Sequence, residues 1–374
     1  MKHRRLGRTG FMVSEIGMGL EYLLDKDQLT INGTIRAAMD GGVTYLDCHP
    51  SHGFTKESID YEGYMKLGKA LTGIRDRFIL SYIAHWETRS PAETKPRFES
   101  WLRMIDTGYA DVFMLQFCDK ANDFEEIMKV DGALSYAQKL VKEGRARSIG
   151  ISTHSAEIAQ RAIESGSFDV LMYPVNPAHD VVTADHLDTI WDAAYEFNGA
   201  NERGERPRKS VYIECERNNI GLVAMKPFAG GFIFGVEKNA GFTPVNLVAY
   251  ALAQTGVSTV VPGCAKPDEI EGILAYNDSS LEEKDYAGVV SKSRWSVKGN
   301  CQYCNHCLPC GADINVGLVN RLLDAKRDME TVREKYRALS VKASACLRCG
   351  ICEERCPFEV KVRERMEEAV MIFE

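Results

Sequence analysis

Along the first 285 residues, short apolar runs alternate with stretches whose apolar positions recur every three or four residues, the two periods that separate strands from amphipathic helices. The apolar runs predict eight strands, at Val13–Gly19, Val43–Asp47, Phe78–Ala84, Val112–Phe117, Ser148–Ser152, Val170–Tyr173, Leu222–Lys226 and Thr259–Pro262. Helical periods lie between them, among others at Ile31–Asp40, Pro96–Met104, Gly132–Glu143 and Ala156–Glu164. Eight strands alternating with helices over about 280 residues predict a (β/α)8 TIM barrel, with a doubly wound sheet as the alternative. In such a barrel the chemistry belongs at the C-terminal ends of the strands. The charged stretch Asn201–Lys209, NERGERPRK, has no apolar face and predicts an exposed insertion.

Composition changes this picture mainly by exclusion. At 374 residues the chain accommodates a barrel over 1–285 and a second, smaller domain over 290–374. Hydrophobic residues at 45% and charged residues at 26% exclude a disordered or fibrous chain. No apolar run approaches the length of a membrane span, and the opening MKHRRLGRTG lacks the apolar stretch of a signal peptide, so a cytoplasmic protein without membrane contacts is expected. From Ser291 onward 15 Lys and Arg face 12 Asp and Glu, leaving 31 against 41 before it, and that acidic larger part argues against a nucleic-acid partner.

Cysteine changes the picture more. Of 12 cysteines, Cys48, Cys118, Cys215 and Cys264 are scattered, whereas eight fall between Cys301 and Cys356. Cys346, Cys349, Cys352 and Cys356, followed by Pro357, read C-x2-C-x2-C-x3-C-P, the bacterial ferredoxin spacing in which three thiolates hold one 4Fe-4S cluster and the fourth reaches its neighbour. Upstream, CQYCNHCLPC supplies Cys301, Cys304, Cys307 and Cys310. The same crossover assigns Cys301, Cys304, Cys307 and Cys356 to one cluster and Cys346, Cys349, Cys352 and Cys310 to the other. C-x2-C pairs also suit two zinc sites, but two triplets each followed by a fourth cysteine match the three-plus-one supply of a cubane better. Val316–Leu339, between the two sets, has helical character, so the module is expected to be mostly helical.

The segments MKHRRLGRTGFMVSEIGMG, GVTYLD, YADVFMLQ, GRARSIGIS, GLVAMKPFAGG and VSTVVPGCAKPDEIE resemble the aldo/keto reductases in order and spacing, over essentially the whole barrel. With the cysteine-rich tail the chain looks like the branch of that superfamily that carries a C-terminal ferredoxin-like domain. The resemblance implies a catalytic tetrad, in which a Tyr made acidic by an Asp-paired Lys gives a proton to a carbonyl while a His orients it. The Asp position falls on Asp47, the Tyr position on His52, the Lys position on Tyr82 and the His position on Gln116. Three of the four are therefore replaced. His49 and His85 stand nearby, and Asp47, His49, His52, Tyr82, His85, Gln116, Cys118, His154 and His179 all fall at predicted strand ends. A site re-tooled around His52 as acid or base fits this density better than a barrel that has lost its chemistry, since histidine exchanges protons near neutral pH. Asp47, His49, His52 and His85 could also form an N/O metal set.

The same resemblance implies NADP(H), with the nicotinamide amide near Ser152 and Asn176. It puts the pyrophosphate against Lys226 to Gly231, including Gly230, and the adenosine phosphate at Gly263, Lys266 and Glu269. Met172 and Ile273 stand where the family usually has a Gln and an Asn. An iron–sulfur oxidoreductase acting on a small carbonyl or hydroxyl compound is the function expected. Its clusters feed single electrons to the substrate, connect to an external electron carrier or are structural. The alternatives are a non-reductive lyase or isomerase with structural clusters, and an electron-transfer subunit.

Overall fold

The computed structural model describes residues 1–51, 60–85, 88–182, 184, 187–196, 208–238, 240–325 and 329–374. Ten strands form: β1 His3–Arg5, β2 Met12–Ser14, β3 Met18–Gly19, β4 Tyr45–Cys48, β5 Ile79–Ala84, β6 Ala110–Leu115, β7 Ala146–Ser152, β8 Val170–Pro174, β9 Gly221–Met225 and β10 Val257–Val261. β3 to β10 make one parallel sheet in chain order, and parallel bridges from Ile16 to Val260 and from Gly19 to Gly263 join its two edges. The expected TIM barrel is the fold. Gly17 permits the seam, because a Cβ there would stand 2.9 Å from the Tyr45 carbonyl oxygen and the Val261 side chain.

The first predicted strand divides into two. Residues Met12–Ser14 pair antiparallel with β1 in a hairpin, and only Met18–Gly19 joins the barrel. Ser14 accounts for the break: its hydroxyl donates to Ile16 O at 2.6 Å and accepts the Thr44 N–H at 2.9 Å, offering the backbone local partners in place of a ladder. The hairpin contributes Leu6 and Val13 to the interior core, beside Tyr45, Ile83, Val112, Met114, Val170, Met172, Val223 and Val261. A second core fills the layer between strands and helices, with Leu46, Tyr82, Phe98, Trp101 and Phe113 among its members. Strand alternation decides which residues look inward, and the register sets Asp47 opposite Ser81 and Cys48 opposite Tyr82.

The helical character expected for Val316–Leu339 resolves into Val316–Asp324 and Met329–Arg337, followed by Val362–Phe373. These helices bury Val319, Leu323, Tyr336, Phe358 and Met366 in one cluster with Tyr250 and Tyr286. No helix among the described residues is long and apolar enough to cross a membrane.

The exposed insertion expected over Asn201–Lys209 needs correction. Residues 201–207 lie outside the described residues, but Arg208 is 1% exposed and Lys209 9%. The Arg208 guanidinium donates to His154 O at 2.7 Å, Tyr173 Oη at 2.6 Å and Ala184 O at 2.9 Å. The Lys209 ammonium pairs with Asp324 at 2.6 Å, donates to Cys301 O at 3.2 Å and sits 4.2 Å from the centre of the Tyr303 ring. Hydropathy alone misread both, since long cations are buried when carbonyls, rings and acids receive them.

Candidate active site at the barrel mouth

Asp47, near the end of β4, has its side chain buried and its Oδ1 without a hydrogen-bond partner among the described residues. Burial, then the negative charge of Glu21, pushes its carboxyl up to about 8, so at neutral pH it is mostly protonated and can donate. His49 follows β4, and its Nδ1–H donates to Pro50 O at 2.8 Å. That leaves Nε2 as an acceptor, and the Gln116 amide nitrogen, from the end of β6, donates to it closely. The structure thus joins two of the predicted residues across the mouth. His85 is buried at the end of β5, where its carbonyl receives the Thr88 N–H and hydroxyl. His52 lies outside the described residues.

Tyr82 is not at the mouth. Its ring packs 4.9 Å from Phe98, 5.3 Å from Trp101 and 5.1 Å from Phe113, centre to centre, on the helix-facing side of β5. It cannot stand where the reductase lysine would. The inward neighbours on that strand are Ser81 and Ile83.

Across the mouth, the ends of β6 to β9 hold a polar group that sequence reasoning only partly named. Asp119 accepts the His154 backbone N–H at 2.7 Å, the Thr153 hydroxyl at 3.0 Å and the His154 ring at Nδ1, 2.9 Å away. Burial opposes the Asp119 charge, but these donors hold its carboxyl below the usual range; burial likewise holds His154 below its usual value. Asn176 caps the short helix Pro177–Asp180, its Oδ1 taking the His179 N–H at 2.9 Å while its amide group reaches Lys226 O at 2.8 Å and His179 Nδ1 at 3.0 Å. Both amide protons are therefore spent inside the protein. Ser152 Oγ accepts the Phe117 N–H at 3.1 Å. Asp119 and Arg208 are the residues the sequence did not bring to the site. Two reactive residues at the ends of adjacent strands, Asp119 after β6 and His154 after β7, were the signal for the first.

Left-handed backbone marks the same rim. Phe117, two residues after β6, has φ 51°, and Lys226, directly after β9, has φ 51°. Side chains other than glycine adopt this region at a cost of about 1–2 kcal/mol, which clusters at functional sites. The turn continues through Ala229, Gly230 and Gly231 at φ 49°, 62° and 87°. Lys266 N-caps the helix Pro267–Leu274 with its side chain half exposed, and the Glu269 carboxylate accepts the Ala265 N–H at 2.8 Å.

The aldo/keto reductase family model matches residues 15–244. The chain belongs to the aldo/keto reductase family. The aldo-keto reductase YhdN of Bacillus subtilis is 29% identical over 173 residues, 42% of this chain and 48% of the relative. A probable aldo-keto reductase 1 of Glycine max is 23% identical over 62% of this chain and 60% of its own length. The chain thus spans about half to three fifths of these curated relatives. Among solved structures, an aldo-keto reductase of Bacillus halodurans in its holo form superposes with a TM-score of 0.59 at 18% identity, covering 76% of this chain and 95% of that one. An aldo-keto reductase of Klebsiella pneumoniae in complex with NADPH gives 0.53 at 19%, covering 77% and 94%. These likenesses establish the aldo/keto reductase barrel.

The family match ends before the eight clustered cysteines, Cys301 to Cys356. Among the described residues no group of three or more His, Cys, Asp or Glu could hold a metal ion. A cubane sets a different requirement from a single ion, one thiolate for each of four irons, so its test is whether four cysteines wall one space. Cys307, Cys310, Cys346, Cys349 and Cys352 all line one common hollow. Cys304 lies within electrostatic reach of Cys301 and Cys356, and Cys307 within that of Cys301, Cys304 and Cys352.

Proposed function

We propose that this aldo/keto reductase-family chain is an iron–sulfur oxidoreductase acting on a small carbonyl or hydroxyl compound at the barrel mouth, with two 4Fe-4S clusters and NADP(H). The observation that carries it is the hollow lined by Cys307, Cys310, Cys346, Cys349 and Cys352. Four of these, Cys310, Cys346, Cys349 and Cys352, are the ligand set that crossover spacing assigns to one cubane, and Cys301, Cys304, Cys307 and Cys356 make up the other. Bound there, the clusters supply one-electron transfer. The division into a barrel, 1–285, and a cluster module, 290–374, is part of the same reading.

The Klebsiella pneumoniae relative's complex with NADPH supports the nucleotide. The family resemblance puts the pyrophosphate against the turn from Lys226 to Gly231, which is left-handed at Lys226, Ala229, Gly230 and Gly231. Lys266, beside Gly263 and Glu269, offers a cation to an adenosine phosphate. Ser152 keeps its hydroxyl proton for the nicotinamide amide, whereas the protons of Asn176 already bind Lys226 and His179. At the mouth a protonated Asp47 and the His49–Gln116 pair hold and orient the substrate oxygen.

The test is the composition of anaerobically prepared protein. About eight iron and eight sulfide per chain, with NADPH bleaching the cluster absorbance, are expected. Roughly two zinc with no sulfide would overturn the cluster assignment.

A further inference from the structure

The loop that opens the first cysteine triplet is fastened to the barrel through a pair of consecutive cations. The Arg208 guanidinium donates to His154 O, just after β7, at 2.7 Å, and the next side chain, Lys209, donates to Cys301 O at 3.2 Å. One peptide unit, about 3.8 Å between Cα atoms, separates the two anchors. The following carbonyl is held as well, since Gln302 O accepts the Tyr286 hydroxyl at 2.9 Å. Two successive carbonyls, at 301 and 302, are thus pinned where the triplet begins.

Charge gathers at the same place. Tyr303, between Cys301 and Cys304, has the Lys209 ammonium 4.2 Å and the Arg321 guanidinium 5.0 Å from the centre of its ring, and its N–H donates to Cys301 Sγ at 3.5 Å. Asp324 accepts the Tyr303 hydroxyl at 2.5 Å and pairs with Lys209 and Arg365, each at 2.6 Å. In this network Lys209, Arg321 and Arg365 stand against Asp324 alone, and all four are at least partly buried. The second triplet is built differently. Cys349 is exposed, and the neighbouring Arg348 and Arg363 are tied near the surface to Glu367 at 2.5 Å and Glu353 at 2.7 Å. Solvent screens such pairs, so they weigh less on whatever the thiolates hold.

We propose that Lys209 is a positioning residue for the cluster of the first triplet, Cys301, Cys304 and Cys307: it fixes the ligand loop to the barrel and raises the reduction potential of that cluster alone. Reduction adds one electron and neither forms nor breaks a bond, so the cluster gains one negative charge. A cation beside the ligand loop lowers the energy of that form, and net charge is one of the levers that set a cluster's potential. Removing Lys209 leaves Asp324 in place and makes the surroundings more negative by one charge, whereas removing the acid does the opposite. The assignment deepens the iron–sulfur reading and rests on it.

Redox titration of the iron-loaded full-length protein with dithionite, followed by electron paramagnetic resonance, reads the potentials without turnover. In Lys209→Met one of the two one-electron steps should fall about tenfold in its equilibrium constant, about 59 mV, while the other stays in place. Lys209→Arg should restore most of that shift. Asp324→Asn should move the same step upward, so that opposite signs separate a charge effect from a general loosening of the loop. The step that moves should survive in Cys310→Ser, which damages the other cluster. If Lys209→Met does not retain its iron, Arg321→Gln, which removes the other cation over Tyr303, reports in its place with a downward shift. Unmoved steps, equal shifts of both steps, or shifts of one sign in the variants that remove the cation and the acid would overturn the assignment. Iron and sulfide content of each preparation reports on the cluster reading separately. Protein without iron fails that reading, whereas about eight iron with an unmoved potential fails only the role of Lys209.

Discussion

Asp47 shows how a residue that one pattern identifies can behave contrary to that pattern. Its position at the end of β4 was legible in the segment GVTYLD, but its protonation was not, because burial and the neighbouring Glu21 charge belong to the folded barrel. A carboxyl held at about 8 in the native state and near 3.9 when unfolded keeps a proton that the unfolded chain releases. Between those values stability therefore falls as pH rises, by up to ~1.4 kcal/mol per pH unit, and levels off above pH 8. Asp47→Asn removes the ionisation. The variant should match the wild type near pH 4 and exceed it by several kcal/mol at about pH 8.5 in urea titrations; a difference independent of pH would refute the raised, buried carboxyl. Tyr82 is the converse case: motif alignment placed it in the site, and the register of β4 against β5 turns it away. Tyr82→Phe should leave turnover within about twofold, whereas Tyr82→Lys, which buries an ammonium among Phe98, Trp101 and Phe113, should cost several kcal/mol of stability in the same titration. A large loss of turnover in Tyr82→Phe would return the residue to the site.

At the scale of elements, strands were legible where one period ran undisturbed. Seven of the eight predicted strands overlap β4 to β10 within a few residues, because apolar runs bounded by polar turns have few other folded fates. The exception is Val13–Gly19, where the Ser14 hydroxyl redirects the chain, a side-chain effect that apolar patterning does not carry. The left-handed residues at Phe117 and Lys226 were equally invisible, as neither is a glycine. The helix that starts at Lys209 exposes the weakest inference, that charge means solvent. Its first residue instead ties the barrel to the C-terminal helices, since Asp324 receives Lys209 at 2.6 Å and Arg365 at 2.6 Å. This arrangement orders two variants. Lys209→Met leaves Asp324 its arginine and should cost about 1–2 kcal/mol; Asp324→Asn leaves two half-desolvated cations without their acid and should cost about 3–5 kcal/mol. Chemical denaturation measures both, and the reverse order would mean that the network contributes packing rather than charge pairing.

For the whole molecule, barrel and tail share more than the sequence indicated. Spacing alone separated a barrel from a cysteine-rich module, but Tyr250 and Tyr286 join Phe358 and Met366 in one core, so the boundary near 285–290 crosses a buried interface. Crossover spacing predicts ligand sets that interleave in sequence, and the hollow brings Cys307 and Cys310 to Cys346, Cys349 and Cys352 across more than thirty positions of chain. That long-range pairing gives the cluster proposal its sharpest test. If the sets cross, Cys310→Ser should damage the cluster of Cys346, Cys349 and Cys352 while the cluster of its near neighbours Cys301, Cys304 and Cys307 survives, and Cys356→Ser should do the reverse. Each variant should lose about half of its iron, or convert one cluster to a three-iron form, and the two should differ in the electron paramagnetic resonance signal that remains. The shared core predicts that neither change unfolds the barrel, because Tyr250 and Tyr286 remain packed on helices whose apolar contacts do not depend on a single thiolate. Circular dichroism melting controls for this. Loss of the same signal in both variants, or damage confined in each case to the cysteine's own sequence neighbours, would show that the ligands pair locally and would remove the reading of the hollow as one cubane's site.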